Sequence, residues 1–360
     1  MGRVAAVTFS AFDHLLLGGL LGDEEIAGYF AAEAEISSML AFEVALAEAE
    51  AACGIIPKSA AEAISAAAAA FSPDMDAMRR ATSVDGVTVP EFVRQLRRAV
   101  GGEAAQHVHF GATSQDVIDT GLMLRLVPVL NILRNRLSIL LAVLQQVETR
   151  FGANVLTGHT RMQPAIPISA ADRIRAWREP LVDEAERLAA WIADRAAIQF
   201  GGAAGTLEKL GDKAAAVRAG LAERLGLADA PQWHSQRARL VDLANVLSMI
   251  TGGLGKFGQD VALLAQGGSE IALAGGGGSS AMPHKQNPVA AETLAALARF
   301  NATQSSAMHH ALVHEQERSG AAWMLEWMVL PQMVCATAAA LRHGVELAGS
   351  IRRLGKSDDA

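Results

Sequence analysis

The chain has 360 residues, 51% of them hydrophobic, only 5% aromatic, and a formal charge of −7. That length suits one large domain with a smaller one, and the acidic balance argues against a nucleic-acid partner, which would need a basic face. Every run of about 18 apolar residues carries a charge, so no membrane span is expected.

The stretch after Met1-Gly2-Arg3 is apolar but is interrupted by Asp13 and His14, and no signal-cleavage pattern follows. Ala6 stands where a myristoylation pattern wants Ser or Thr. Cys53 and Cys335 lie far apart without a CxxC pair. Neither a disulfide framework nor a zinc site is expected, and two buried, reduced thiols in a cytoplasmic protein is the plain expectation.

A first helix is predicted over roughly 24–53, ended by Gly54 with Pro57 beyond it. Shorter helices follow, one through the alanine run 66–70, so residues 1–105 read as a small N-terminal helical domain. Then a seven-residue apolar repeat begins. Leu126, Leu130, Leu133, Leu137, Leu140, Leu144 and Val147 alternate spacings of four and three, and Leu240, Leu243, Leu247, Ile250, Leu254, Phe257, Val261 and Leu264 do the same. A 3.5-residue period keeps one seam of a helix against its neighbours, as in a long bundle.

Ile174, Trp177, Leu181, Leu188, Trp191 and Ile198 keep most of that register. Pro128 and Pro180 should kink their helices without ending them, because the pattern resumes beyond each. Two more helical stretches, about 288–315 and 321–350, complete a five-helix bundle over 106–350, with 351–360 as a polar tail.

Between two bundle helices lies Gly275-Gly-Gly-Gly278-Ser279-Ser280-Ala281-Met282-Pro283-His284-Lys285-Gln286-Asn287-Pro288. The glycines alone read as a flexible linker, but Met-Pro-His-Lys-Gln-Asn-Pro is not linker composition. A phosphate-binding P-loop needs Lys directly after its last glycine, whereas Lys285 comes seven positions after Gly278. Converging backbone N–H groups, an ammonium and an amide suit a different task, the removal or delivery of a proton at a carbon beside a carboxylate. Ser279 is placed to act as the acid/base, if Lys285 and the backbone donors stabilise its alkoxide.

The segment Gly278 to Pro288 resembles the signature of the fumarase/aspartase superfamily, which includes adenylosuccinate and argininosuccinate lyases. Two further stretches resemble it in the same order: His109-Phe-Gly-Ala-Thr-Ser-Gln-Asp116 with Asp119-Thr120, and Gly158-His-Thr-Arg-Met-Gln-Pro-Ala165 with Pro167. On their own, Thr113 and Ser114 read as helix-capping residues with Asp116 in the first turn. The resemblance makes both hydroxyls substrate-carboxylate ligands.

The resemblance implies an all-α protein, a fumarase/aspartase-like long helical bundle with a small N-terminal helical domain. It also implies a homotetramer whose active sites are shared between subunits, with no cofactor and no metal. The expected catalytic residues are Ser279, Lys285 and His159. The expected substrate ligands are His109, Thr113, Ser114, Arg161, Gln163, Ser280, Met282, Asn287 and Arg318.

Val89 to Leu96, His107 to Asp116, Glu315 to Ser319 and Glu326-Trp327 bring the chain nearest to the superfamily's muconate-lactonizing branch. The implied activity is cycloisomerisation of a small polycarboxylate in aromatic catabolism. A fumarate-releasing C–N lyase is the alternative, and a non-catalytic scaffold a third reading.

Two departures stand out. The superfamily's lyases read Gly-Arg-Thr-His where this chain has His159 and Arg161 in the opposite order. The general-acid histidine is therefore absent from its usual place, which fits an isomerase, where no amine or hydroxide leaves, and His159 does not simply inherit that role. The chain also stops soon after the last bundle helix, so the family's small C-terminal domain is expected to be short or absent.

Elsewhere, His310 and His314 share a helical i,i+4 spacing but lack an HExxH pattern and a third ligand. Arg173, Arg175 and Arg178 read as a solvated or salt-bridging face, and Trp323 and Trp327 as core neighbours.

Overall fold

The computed structural model describes residues 10–278, 282 and 286–356. In chain order the helices are α1 (Gly18–Leu21), α2 (Glu24–Gly28), α3 (Ala32–Ala52), α4 (Lys58–Ala69), α5 (Met75–Asp85), α6 (Val89–Val100), α7 (Ser114–Phe151), α8 (Ala170–Arg195), α9 (Ala214–Leu225), α10 (Ala238–Gly267), α11 (Val289–His310) and α12 (Ala321–Ser350). Four short strands join them as two antiparallel pairs: β1 (Val155–Thr160) with β2 (Gln163–Ser169), and β3 (Ile271–Leu273) with β4 (Ile351–Leu354). Among the described residues the fold is helical, with named strands confined to these hairpin-sized pieces.

Helices α7, α8, α10, α11 and α12 form the bundle, and their directions alternate. The indole of Trp177, early in α8, donates to Asp260 late in α10 at 2.8 Å, while Trp191, late in α8, donates to the Arg239 carbonyl early in α10 at 2.8 Å. The apolar seams are the core. From Leu126 to Leu144 the α7 series is wholly buried, as is the α10 series from Leu240 to Val261. Pro128 and Pro180 sit inside continuous helices, as does Pro331 in α12. Helices α7 and α12 are long and apolar enough to cross a bilayer by length and composition, yet here their apolar stripes pack against the bundle.

Where α10 meets α11, glycines set the spacing. A Cβ on Gly258 would stand 2.5 Å from the Ala291 carbonyl oxygen, and one on Gly255 2.5 Å from the Ala298 methyl. The two backbones therefore approach closer than ordinary side chains permit.

Several boundaries differ from the sequence expectation. The helix expected over 24–53 breaks at 29–31, where Tyr29 and Phe30 turn onto the bundle core and the Tyr29 carbonyl accepts from Arg125. The second core does not stop near residue 105. Helix α3 and its neighbours bury Phe42, Leu46 and Phe92 together with Phe200, Leu210, Val217 and Leu221, so the 198–227 segment joins the N-terminal cluster. Conversely, Ile26 belongs to the bundle core, and Ile198 lies beyond the end of α8.

The expected polar tail begins instead as a strand. Ile351 and Leu354 are buried, and Val155 and Lys356 exchange both backbone hydrogen bonds at 2.9–3.0 Å, which ties the chain to the base of the β1–β2 hairpin. Of the two thiols, Cys335 is buried, with burial pushing it up to about 12, and Cys53 is half-buried; both are free.

The α10–α11 contact yields a stability test. Gly258→Ala is expected to cost about 1–3 kcal/mol, because a backbone carbonyl stands in the way of the added methyl. Gly267→Ala, where nothing lies within 4 Å, leaves the melting temperature unchanged or slightly higher. Thermal denaturation of the two variants checks the pair.

Candidate functional site

The first region is built on the start of α7. Thr113 N–H donates to Asp116 Oδ2 at 3.0 Å, which closes the first turn as a helix-capping arrangement. Asp116 is fully buried and does much more than cap. It also accepts from Gly201 N–H and Gly202 N–H at 2.9 Å, from the Gln199 amide at 3.2 Å, and pairs with His234 Nε2 at 2.8 Å. One carboxylate thus ties the α7 N-terminus to the 199–202 strap and the 233–237 turn.

One turn on, Asp119 faces the buried guanidinium of Arg237, whose other edge meets Glu326 of α12. Burial alone would lower the Arg237 pKa, but Asp119 and Glu326 outweigh it and hold the group above its ordinary value. Trp323 Nε1 donates to Asp119 at 3.1 Å, beside Trp327 with ring centroids 4.7 Å apart.

Arg318 is brought to this same end. Its Nε donates to Gln115 Oε1 at 3.0 Å, and its Nη2 to the Ala203 carbonyl at 3.2 Å. Gln115 in turn donates to the His234 carbonyl at 2.8 Å and to Asp119 at 3.1 Å, so the arginine is aimed by a buried side chain. His109 completes the group. It takes a left-handed φ of 62°, and its Nδ1 lies 2.6 Å from Glu43 Oε1 of α3. An exposed guanidinium and a half-buried imidazole thus stand at the N-terminal end of a 38-residue helix, groups of the kind that can receive an anion. His109, Thr113, Ser114 and Arg318 are the predicted residues that the structure gathers.

The second region lies at the other end of α7, roughly 57 Å away for 38 residues at the helical rise. His159, Arg161 and Gln163 occupy the exposed tip of the β1–β2 hairpin. Arg161 (φ 48°) and Met162 (φ 66°) are the two turn residues, and both are left-handed. That is the handedness a two-residue hairpin turn demands, held here without glycine. His159 Nδ1 sits 3.0 Å from the Thr157 carbonyl, and Thr157 N–H donates to Glu270 at 2.7 Å, which pins the hairpin to the segment after α10.

The third region is the glycine-rich loop. Its neck is closed by a two-residue bridge in which Gly277 and Asn287 exchange backbone hydrogen bonds at 2.8–2.9 Å, while Asn287 Nδ2 donates to the Gly278 carbonyl at 3.3 Å. Gly276 has φ 137°, a conformation side-chain-bearing residues avoid, with Gln286 packed against it. The neck borders a cavity of about 300 Å³ that His343 and Glu346 also line. Ser279, Ser280 and Lys285 lie outside the described residues; Met282 is described and exposed. Asn287, expected as a substrate ligand, is here a brace of the loop neck.

One copy of the chain therefore does not bring the three regions together. Of the remaining candidates, His310 ends α11 and His314 lies beyond it, so the helical i,i+4 premise fails; His314 Nε2 instead sits 3.5 Å from Glu326. Arg175 and Arg178 make ion pairs with Asp172, Glu179 and Glu148 within their own helix and α7.

The residues that sequence reasoning missed are the supports: Glu43, Gln199, His234 and Arg237. Glu43 stands in an alanine- and glutamate-rich helix with nothing to distinguish it from Glu48 or Glu50. Gln115 and Glu326 lie inside quoted motifs but carried no assigned role.

Long antiparallel helices, a loop-bearing end at each pole and a glycine-necked signature loop define a helical-bundle, lyase-type enzyme fold. The chain belongs to the fumarase/aspartase superfamily: a family model described as lyase matches residues 23–300. It is 41% identical over 326 residues to a 3-carboxy-cis,cis-muconate cycloisomerase of Pseudomonas aeruginosa, covering 88% of this chain and 71% of that protein. It is 37% identical over 345 residues to the enzyme of the same name from Acinetobacter baylyi, covering 92% and 76%. The crystal structure of 3-carboxy-cis,cis-muconate lactonizing enzyme from Pseudomonas putida superposes with a TM-score of 0.88 at 36% identity, covering 94% of this chain and 77% of that one.

The buried charges give two tests. Arg237→Met leaves Asp119 and Glu326 facing each other without a cation, and is expected to cost about 3–5 kcal/mol in denaturant unfolding. Glu50, two helical turns from Glu43, is pushed up to about 9 by burial and then by the Glu43 charge. Folded Glu50 thus keeps its proton where an unfolded glutamate, at about 4.5, has lost it. Stability falls as pH rises through that window, since the unfolded state binds fewer protons. Glu50→Gln removes that loss, so its melting temperature matches wild type at about pH 4 and exceeds it by a few degrees at about pH 8.

Proposed function

We propose that this protein is a cycloisomerase interconverting 3-carboxy-cis,cis-muconate, or a similarly substituted muconate, and the corresponding carboxymuconolactone in aromatic catabolism. The observation that carries the reading is the 41% identity to a cycloisomerase across 88% of the chain, together with the signature loop between α10 and α11. In the lactonizing direction, one substrate carboxylate oxygen forms a C–O bond to one carbon of a double bond. The π pair moves to the neighbouring carbon and spreads into its carboxylate as an enolate-like anion, and that carbon then gains a proton. No group leaves.

Ser279 transfers that proton, with Lys285 and the loop N–H groups stabilising the enolate-like charge and His159 assisting. Asn287 keeps the loop neck closed and supplies an amide to the substrate, and Ser280 and Met282 are further substrate ligands. His109, Thr113, Ser114 and Arg318 bind a carboxylate at the α7 N-terminus, and Arg161 and Gln163 bind another from the hairpin.

Because one copy holds the α7 N-terminus and the β1–β2 hairpin at opposite ends of α7, we read the site as assembled from different copies. A homotetramer with shared sites is the arrangement the superfamily resemblance implies, and the exposed hairpin supports it. We read the protein as soluble and cytoplasmic, acting on a small polycarboxylate without nucleic acid or membrane as a partner.

The test follows muconate absorbance with purified protein in the presence of EDTA. Turnover is expected, and Ser279→Ala is expected to reduce kcat by about 10²-fold or more. Fumarate release from succinyl compounds, with no muconate consumed, would replace the cycloisomerase reading by that of a C–N lyase.

A further inference from the structure

We propose that Glu43 is a positioning residue: by accepting from His109 Nδ1–H it orients the ring and supports its doubly protonated form, so that Nε2–H is the donor offered to a substrate carboxylate. The inference rests on the reading of the α7 N-terminus as a carboxylate-binding surface, and it adds a residue that no motif contains.

Four observations converge on it. His109 holds a left-handed backbone at φ 62°, followed by Gly111 at φ 70°; a β-carbon in that region is unfavourable by about 1 kcal/mol or more and needs an anchor. The anchor is one contact, 2.6 Å between His109 Nδ1 and Glu43 Oε1. It is one-sided in burial, since the Glu43 side chain is 0% exposed and the His109 side chain 14%. The carboxylate is hidden and the imidazole reaches the surface, which is the geometry of a support beneath a working group.

The chemistry of the pair then sets what each ring nitrogen does. A carboxylate only accepts, so Nδ1 carries a hydrogen toward Glu43. A substrate carboxylate also only accepts, so it is bound when the outward Nε2 carries a hydrogen as well, and the carboxylate beneath the ring favours that doubly protonated form. Among the described residues the second oxygen of Glu43 has no hydrogen-bond partner, so His109 is the group its charge serves. Glu50, on the same helix and fully buried, also lacks side-chain partners there. Held protonated across neutral pH, it does not compete, and a single negative charge remains beneath the ring.

The closing experiment compares Glu43→Gln with Glu50→Gln, both neutral isosteres on one helix, in wild-type and His109→Asn backgrounds. Two readouts are taken: steady-state kinetics on 3-carboxy-cis,cis-muconate, and ring ¹⁵N spectra of selectively labelled histidine. Glu43→Gln is expected to lower kcat/KM at least about tenfold, mainly through KM, with the melting curve retained. That loss is expected to vanish when His109 is already Asn, which a purely structural role would not produce. Glu50→Gln leaves kcat/KM within about twofold. The His109 ring ¹⁵N signals move in Glu43→Gln and stay in Glu50→Gln.

Additive losses in the double variant, or unmoved His109 signals in Glu43→Gln, would overturn the proposal. Wild-type protein that consumes no muconate overturns the functional reading instead. In that event the spectra still decide whether Glu43 sets the ring.

Discussion

The buried carboxylate of Asp116 is the constraint on which the rest of this end of the molecule depends. A fully buried charge is tolerated only when donors replace its water, and five groups from three separate stretches of chain supply them. Those groups cannot be placed independently. Where α7 starts fixes the 199–202 strap and the 233–237 turn, and these fix Arg237, which bridges to α12 through Asp119 and Glu326. Gln115 then links the cluster to Arg318. The exposed polar groups at this end are thus set by a polar core one layer beneath them.

The second constraint is length. Helix α7 runs unbroken through Pro128 for 38 residues and carries one matched region at each end. Its seam residues are buried along almost its whole course, so shortening the distance would require dismantling the core. The α7 N-terminus and the hairpin are therefore held apart within one copy, and the proposed sharing of sites between copies is consistent with that. The hairpin is exposed, it turns on two left-handed non-glycine residues, and it is braced at its base by Glu270 and Lys356.

The parts of this design that were legible in the sequence are those with a period or a long motif. The α7 and α10 heptads foretold their helices and their buried faces, because burial in a bundle repeats with the helical turn. The glycine-rich loop stood out because its composition is not that of a linker, and the stretch around Thr113 through its resemblance to a superfamily motif, since alone it read as a helix cap. What was illegible depends on contacts far apart in sequence. The break at 29–31 has no glycine or proline to announce it; it follows from Tyr29 and Phe30 docking on the bundle. The recruitment of 198–227 to the N-terminal cluster follows from Asp116 holding its first residues. Strand β4 looked like a polar tail because Arg352 and Arg353 are exposed, whereas its buried ends, Ile351 and Leu354, pair with a strand some 80 residues earlier. Glu43 was hidden among its neighbours, since only its side chain's partner distinguishes it.

The reversed order of His159 and Arg161 gains meaning from this architecture. On a strand, neighbours two apart face the same side, so a simple exchange of the two would keep both groups within reach of one surface. Here the exchange is not symmetric, because His159 remains on β1 opposite Pro164 while Arg161 falls in the turn. The guanidinium sits at the extreme tip, and the imidazole is set back and engaged with its own strand through the Thr157 carbonyl. A reaction that expels an amine needs an acid at the leaving group, and a receding histidine serves that need poorly. A reaction in which the substrate's own carboxylate closes onto the double bond needs charge complementarity more than a second acid. On the proposed reading, a projecting arginine at one pole, with Arg318 and His109 at the other, is the positive charge that an otherwise acidic protein of charge −7 sets against a polycarboxylate.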